Sequence, residues 1–113
     1  FKLLTGLDGV EHDDSLRAGC YGMVPGVDTI DIHVAIFETF MSGDEVEADR
    51  IFPQALPLIS FLMHSVDHLL CYGKRLAARR LGLAEPNDRL PSQQPTEFGL
   101  QVLDRWSKDL AEL

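Results

Sequence analysis

Basic residues and cysteines are both scarce in this chain of 113 residues. The 10 lysines and arginines stand against 18 aspartates and glutamates, which gives a net charge of −8. Because nucleic acids and anionic membrane surfaces are bound by clustered cations, this balance argues against both as partners. Cys20 and Cys71 are the two cysteines and make no disulfide framework, so we expect a reducing, cytoplasmic compartment.

Long apolar runs are missing as well. The longest apolar window, residues 55–63, is too short to cross a bilayer, and no basic stretch followed by an apolar one marks a signal peptide near residue 1. Hydrophobic residues still make up 45% of the chain, which favours one modest domain with a packed core. The chain opens on a strand-like run without an initiator Met, so we expect it to be the C-terminal piece of a longer protein.

Strand-like runs occur at two places, residues 1–5 and 21–24, and each ends at glycine or proline. A connection of about a dozen residues between strands is typical of a parallel crossover and too long for a hairpin. We predict a short helix in this connection, capped by Asp8 or by the pair Asp13 and Asp14 and ended by Gly19.

Four further helices follow from the apolar periodicity, over residues 28–41, about 45–63, 66–83 and 95–113. Asp28 or Thr29 is expected to cap the first of them. The second becomes apolar on all sides despite Pro53 and Pro57, so it must be buried by a larger parent or by a subunit contact. Residues 84–95 hold three prolines and are predicted to be an extended connector.

Residues 17–28, Arg-Ala-Gly-Cys-Tyr-Gly-Met-Val-Pro-Gly-Val-Asp, combine the second strand with a Gly/Pro turn and the start of a helix. In α/β proteins, ligands bind at the carboxyl ends of parallel strands. We therefore expect an active site, if the chain contributes to one, near residues 24–26.

Other candidate groups favour structural roles. His64 and His68 are four residues apart, as two metal ligands on a helix would be, but no third ligand follows in a recognisable pattern, so no metal site is predicted. His12 and His33 are expected at the surface, and Cys20 as a small buried residue. A solvated basic face is expected on the helix over 66–83, formed by Lys74, Arg75, Arg79 and Arg80.

A series of short motifs runs along the whole chain. They are Leu-Leu-Thr-Gly-Leu-Asp at 3–8, Ala-Gly-Cys-Tyr-Gly-Met-Val-Pro-Gly at 18–26, Ser-Gly-Asp at 42–44, Ala-Leu-Pro-Leu at 55–58, Lys74 leading into Leu-Gly-Leu at 81–83, and Arg-Leu-Pro at 89–91. In this order and spacing they resemble the C-terminal end of the dihydrodipicolinate synthase/N-acetylneuraminate lyase family, which comprises Schiff-base class I aldolases and dehydratases.

The resemblance implies an α/β fold that is mostly helical in this chain. Residues 1–43 would be the last two strand–helix units of a TIM (β/α)8 barrel, strands seven and eight, and the N-terminal part of the barrel would be missing. Residues 44–113 would be a C-terminal three-helix extension. The resemblance further implies a homo-oligomer, tetramer or dimer, and no cofactor.

The function implied is that of a fragment of a pyruvate-type Schiff-base lyase acting on a small-molecule 2-keto acid. In the family, the imine-forming lysine and the proton-relaying tyrosine lie upstream of what is residue 1 here. The fragment would therefore hold no catalytic residue and would be inactive alone. It would contribute one wall of the substrate pocket, with the substrate-binding residues Gly6, Asp8, Val24, Pro25 and Gly26.

The resemblance also implies what these residues do. Gly6 would contact substrate through its main chain, and Asp8 holds the position that binds the hydroxylated tail in the lyase branch. Val24 would pack against the pyruvyl group, where an apolar wall favours the neutral amine that a Schiff-base lysine needs. Gly26 stands where the lyase branch has a serine, a departure that favours 2-keto-3-deoxy sugar acids as substrates.

A second hypothesis is a non-catalytic helical interaction module that carries two N-terminal strands. It predicts that the isolated chain is a cooperative, monomeric folder, whereas an open two-stranded edge predicts aggregation.

Overall fold

Residues 1–110 are described by the structure, a computed structural model in which 59% of these residues are helical. The elements in order are β1 (Leu4–Thr5), a 3-10 turn (Leu7–Gly9), α1 (His12–Arg17), β2 (Gly22–Met23), α2 (Ile30–Met41), α3 (Glu45–Leu62), α4 (Val66–His68), a π turn (Leu69–Gly73), α5 (Lys74–Arg80) and α6 (Glu97–Ser107).

The strands β1 and β2 pair in parallel, with Leu4 opposite Gly22 and Thr5 opposite Met23. The pairing extends beyond Met23, where the main-chain N–H of Val24 donates to the Thr5 carbonyl at 2.9 Å. The predicted parallel crossover is confirmed, and α1 lies within it. Because parallel strands end at the same edge, residues 6–9 lie beside residues 24–28.

The longest helix, α3, packs against α2 and α6. The Asp44 carboxylate caps it by accepting from Glu47 N–H at 3.1 Å, and Pro53 and Pro57 lie inside it without ending it. Among residues 1–110 no single helix is long and apolar enough to span a membrane. The segments Glu45–Leu62 and Val66–Arg80 reach that length and composition only when combined, and they are bent by 100° at their junction.

An apolar core lies between α3, the π turn, α5 and α6, formed by Leu58, Leu62, Cys71, Tyr72, Leu76 and Leu103. The Tyr72 hydroxyl accepts from Thr96 N–H at 3.1 Å, and Thr96 in turn caps α6 through Gly99 N–H at 3.0 Å. The apolar side of α3 is thus buried in part by this chain's own later helices.

The helix predicted over 66–83 is an α–π–α succession that ends at Arg80, and the last helix ends at Ser107. The predicted end of that last helix at Leu113 lies outside the described residues.

The prediction of a solvated basic face is wrong for Arg75 and Arg80, because each is only 5% exposed. Arg75 pairs with Asp88 through two bonds of 3.1 and 2.5 Å, because the connector folds back over α5. Arg80 pairs with Asp31 of α2 at 2.8 and 2.5 Å.

Candidate functional site

The turn after β1 has an unusual backbone. Leu7, Asp8 and Gly9 have φ angles of 55°, 49° and 75°, in the left-handed region that residues with a Cβ avoid. Two successive non-glycine residues in this region require tertiary contacts to hold them. The prediction that Asp8 or the later aspartates cap α1 is wrong, since the N-cap residue is Glu11 and no side chain caps it.

The Asp8 carboxylate instead joins the two strand ends. Its Oδ1 accepts a hydrogen bond from the main-chain N–H of Gly26, just beyond β2. The side chain is buried, and its Oδ2 has no hydrogen-bond partner among residues 1–110. Burial raises the pKa of Asp8, and the bond from Gly26 opposes that rise.

A second carboxylate, that of Asp28, converges on the same glycine. A Cβ added to Gly26 would overlap Asp28 Oδ1 and would lie 2.9 Å from Asp8 Oδ1. Asp28 is 3% exposed, and within the described part of the chain its Oδ2 is also without a hydrogen-bond partner. Burial, followed by the nearby charge of Asp8, raises the pKa of Asp28 to about 6, while its own main-chain N–H and the charge of Arg80 oppose the shift.

The C-terminal helices reach back to this pair of carboxylates. Gly73, in the π turn, lies beside Asp28 so closely that a Cβ there would be 3.7 Å from Asp28 Oδ2. Arg80 Nη1 donates to the main-chain carbonyl of Asp28 at 2.6 Å while its fork holds Asp31. The region predicted to be an extension therefore packs against the strand ends.

His12 and His33 lie behind the same turn, and the prediction that they are surface residues is wrong. They are 1% and 2% exposed, and their Nδ1 atoms are 3.0 Å apart, a distance that requires one to donate and the other to accept. Burial and the neighbouring imidazole lower the pKa of His12 to about 4, and burial lowers that of His33. Gly9 lies against the His33 ring, where a Cβ would overlap Cε1.

An apolar groove of about 340 Å³ opens beside β2 and α2. Its lining includes Leu4, Tyr21, Ile30 and Val34, which are each 41–57% exposed. Large apolar side chains at this exposure around one groove form a face suited to being covered by further protein.

The five predicted site residues all lie at the common edge where the strands end. Gly6 and Val24 are exposed, Pro25 and Gly26 are half-buried, and Asp8 is buried against Gly26. Their contact with substrate stays a prediction.

Sequence reasoning missed Asp28, His33 and Arg80 as parts of this site. The sequence predicts Asp28 or Thr29 as the cap of α2, and the N-cap residue is Thr29, without a side-chain bond. The position of Asp28, two residues beyond Gly26, was the available signal.

No group of three or more His, Cys, Asp or Glu side chains arranged to hold a metal ion occurs within residues 1–110. His64 and His68 face each other edge to ring at 5.5 Å, and Gln93 Nε2 lies 3.1 Å from His68 Nδ1. Cys20 is half-buried, Cys71 is buried, and both are free thiols.

The chain superposes on part of the crystal structure of dihydrodipicolinate synthase from Rhodopseudomonas palustris, with a TM-score of 0.85 and 22% sequence identity. The match covers 97% of this chain but 36% of that enzyme's chain. No protein-family model matches the sequence, and no curated protein matches it. The chain therefore has the fold of part of a dihydrodipicolinate synthase barrel.

Proposed function

We propose that this chain is the C-terminal segment of a Schiff-base class I lyase, an aldolase or dehydratase acting on 2-keto acids. The observation that carries the proposal is the superposition of nearly the whole chain onto about a third (36%) of a synthase that has this fold. The proposal takes residues 1–43 as the last two strand–helix units of the barrel and residues 44–113 as the helical extension.

The open groove beside β2 and α2 supports this reading. Two strands leave both sheet edges unpaired, and an unpaired edge with exposed apolar neighbours is a liability in a free-standing domain. The preceding strands and helices of a closed barrel would cover both the edge and the exposed side chains of Leu4 and Tyr21.

Within the parent enzyme this chain would form one wall of the substrate pocket. Gly6 and Val24, exposed at the strand ends, would face the keto acid, and the apolar surface of Val24 would favour the neutral amine of a lysine supplied by the preceding part of the barrel. Asp8, Pro25 and Gly26 would shape the end of the pocket that receives the hydroxylated tail of a 2-keto-3-deoxy sugar acid. The parent would be a homo-oligomer, tetramer or dimer.

The test is reductive trapping. The full-length protein, incubated with pyruvate and borohydride and digested for mass spectrometry, should carry the reduced adduct on a lysine upstream of residue 1. The 113-residue chain under the same conditions should carry none, and samples without pyruvate are the control. An adduct on Lys2 or Lys74, or no adduct in the full-length protein, would overturn the proposal.

The alternative, a non-catalytic helical interaction module, is favoured by the apolar core around Tyr72 and Leu103, which the chain builds from its own helices. It predicts cooperative thermal unfolding and a monomer in sedimentation by the isolated chain. Aggregation or a broad, non-cooperative melt would exclude this alternative and is expected of a barrel segment.

A further inference from the structure

The proposed function leaves Asp28 without a role, although its carboxyl group is buried beside the predicted tail-binding residue. We propose that Asp28 is a positioning residue for Asp8: the two carboxyl groups meet over the Gly26 main chain, hold one proton between them, and thereby keep Asp8 on the Gly26 N–H. The inference rests on the proposed function, in which Asp8 helps to shape the end of the pocket that receives the substrate tail.

The geometry of the two carboxyl groups comes first. Asp8 and Asp28 are 5% and 3% exposed, and the Oδ1 atoms of both lie close to the position that a Cβ of residue 26 would take. The Oδ2 atoms of both are buried without a donor among residues 1–110. Two adjacent buried carboxylates whose Oδ2 atoms lack donors cannot both stay ionised at low cost, so such a pair holds a proton above the usual range of aspartate and titrates as one unit.

The charges around the pair favour one proton as well. Arg80 is the cation that faces Asp28 from α5, and its guanidinium is already bonded to the Asp31 carboxylate and to the Asp28 main-chain carbonyl. His33, which faces the Asp8 turn from α2, has a pKa lowered by burial and is neutral near pH 7. Asp28 and Asp31 thus both face Arg80, and a proton on Asp28 removes a negative charge from beside Asp8.

Glycine at position 26 is part of the same arrangement. The Asp28 Oδ1 atom occupies the space in which a side chain of residue 26 would begin. Residue 26 therefore has no room for a polar side chain of its own, and Asp28 supplies the polar atoms at this corner of the wall. On the far side, Gly73 leaves room for Asp28 Oδ2.

A rise in pH changes the pair in a defined direction. Once Asp28 loses its proton, its charge repels Asp8 and weakens the bond from Gly26, so the turn that carries Asp8 loosens. This change should weaken the binding of a ligand with a hydroxylated tail. Pyruvate has no tail, so its trapping supplies the internal reference for the lysine chemistry.

In the experiment the full-length protein is trapped by cyanoborohydride with either 2-keto-3-deoxygluconate or pyruvate. The concentration of each compound that gives half-maximal trapping is measured. In the wild type the half-saturating concentration of 2-keto-3-deoxygluconate divided by that of pyruvate should rise about threefold or more from about pH 5 to about pH 8, as Asp28 ionises. In Asp28→Asn, whose amide imitates the protonated acid, the ratio should stay level. Asp14→Asn, at an exposed aspartate of α1, should keep the wild-type rise. A rise that persists in Asp28→Asn would overturn the inference.

A second readout does not depend on activity. Carbon-13 NMR of the aspartate carboxyl groups should show the Asp28 resonance with a midpoint near pH 6, a transition that the Asp8 carbon also senses and that is missing from Asp28→Asn. Intact trapping without that resonance would overturn the role of Asp28 and leave the proposed function standing. If the resonance is present but the wild type traps neither compound, the proposed function is overturned, and the positioning role with it. The pairing of the two carboxyl groups would still stand.

Discussion

The main-chain N–H of Gly26 donates a hydrogen bond to Asp8 Oδ1, and this bond joins the ends of the two parallel strands. It explains how the turn at Leu7 and Asp8 keeps two left-handed backbone conformations, since the side chain of Asp8 is anchored outside the turn. The same bond brings Asp8 beside Asp28, so the geometry of the turn and the protonation of the site depend on one another.

Replacing Gly26 by alanine should destabilise the protein by about 1–3 kcal/mol, the usual cost of forcing an extra methyl group into a filled site. The added Cβ would overlap Asp28 Oδ1 and press on Asp8 Oδ1. Gly6→Ala is the matched control, because a Cβ there meets no atom within 4 Å. Urea denaturation of the full-length protein with either substitution makes the comparison, and equal losses would contradict the convergence of the carboxylates on Gly26.

Asp28→Asn should become more stable relative to the wild type as the pH rises from about 4 to about 7. The pKa of Asp28 is raised to about 6 in the folded protein, so its contribution to stability is complete at acid pH and is lost as the pH rises through that value. The ionised form costs roughly 3 kcal/mol, taking about 1.4 kcal/mol for each pKa unit.

Asp31→Asn provides a control of opposite sign for that measurement. The bond from Arg80 lowers the pKa of Asp31, so its contribution is present at neutral pH and is lost on acidification. The Asn variant should therefore lose stability chiefly at neutral pH. Parallel pH dependences of the two variants in thermal unfolding would contradict the assignment.

His12 should titrate with a midpoint near pH 4, and imidazole NMR resonances report this directly. Because its pKa is lowered on folding, His12 contributes stability above about pH 6.5 that is lost as the pH falls towards 4, by up to roughly 3 kcal/mol. This dependence has the opposite sign to that of Asp28. A midpoint at or above 6.5 would show that the contact with His33 does not persist in solution.

Asp8→Asn should separate the structural role of Asp8 from its proposed binding role. The amide oxygen can still accept from Gly26 N–H, so Asp8→Ala should lose more stability than Asp8→Asn. In the full-length protein Asp8→Ala should weaken trapping of 2-keto-3-deoxygluconate about tenfold, equivalent to about 1.4 kcal/mol, because the turn beside the tail loses its anchor on Gly26. Asp8→Asn, which keeps that anchor, should weaken the trapping less. Equal weakening of pyruvate trapping would contradict a role in tail binding.

Leu103→Ala should destabilise the protein by about 2–5 kcal/mol, because Leu103 is fully buried where α6 meets α3 and the π turn. Leu90→Ala, at a leucine that is 76% exposed, should change the free energy of unfolding by less than about 0.5 kcal/mol. Similar losses in thermal unfolding would mean that α6 does not pack against this core.

The sequence by itself determined the elements near the site. Glycines and prolines mark the ends of both strands, and the length of chain between the strands favours a parallel crossover, so local signals placed residues 24–26 at a strand end. Gly6 and Asp8 were named as site residues by the family resemblance. The helical spacing of apolar residues likewise placed α2 and α3 within two residues of their observed bounds.

Tertiary structure alone decided which polar groups are buried. Arg80 bonds Asp28 across 52 positions of the chain, and His33 meets His12 across 21, so no pattern around either residue reports the contact. Side chains that look like a helix cap, a surface histidine and a solvated arginine become one network when α1, α2 and α5 pack around the strand ends. The physical reason is that burial, and with it the pKa of Asp28, depends on the elements that cover a residue and not on its neighbours in the chain.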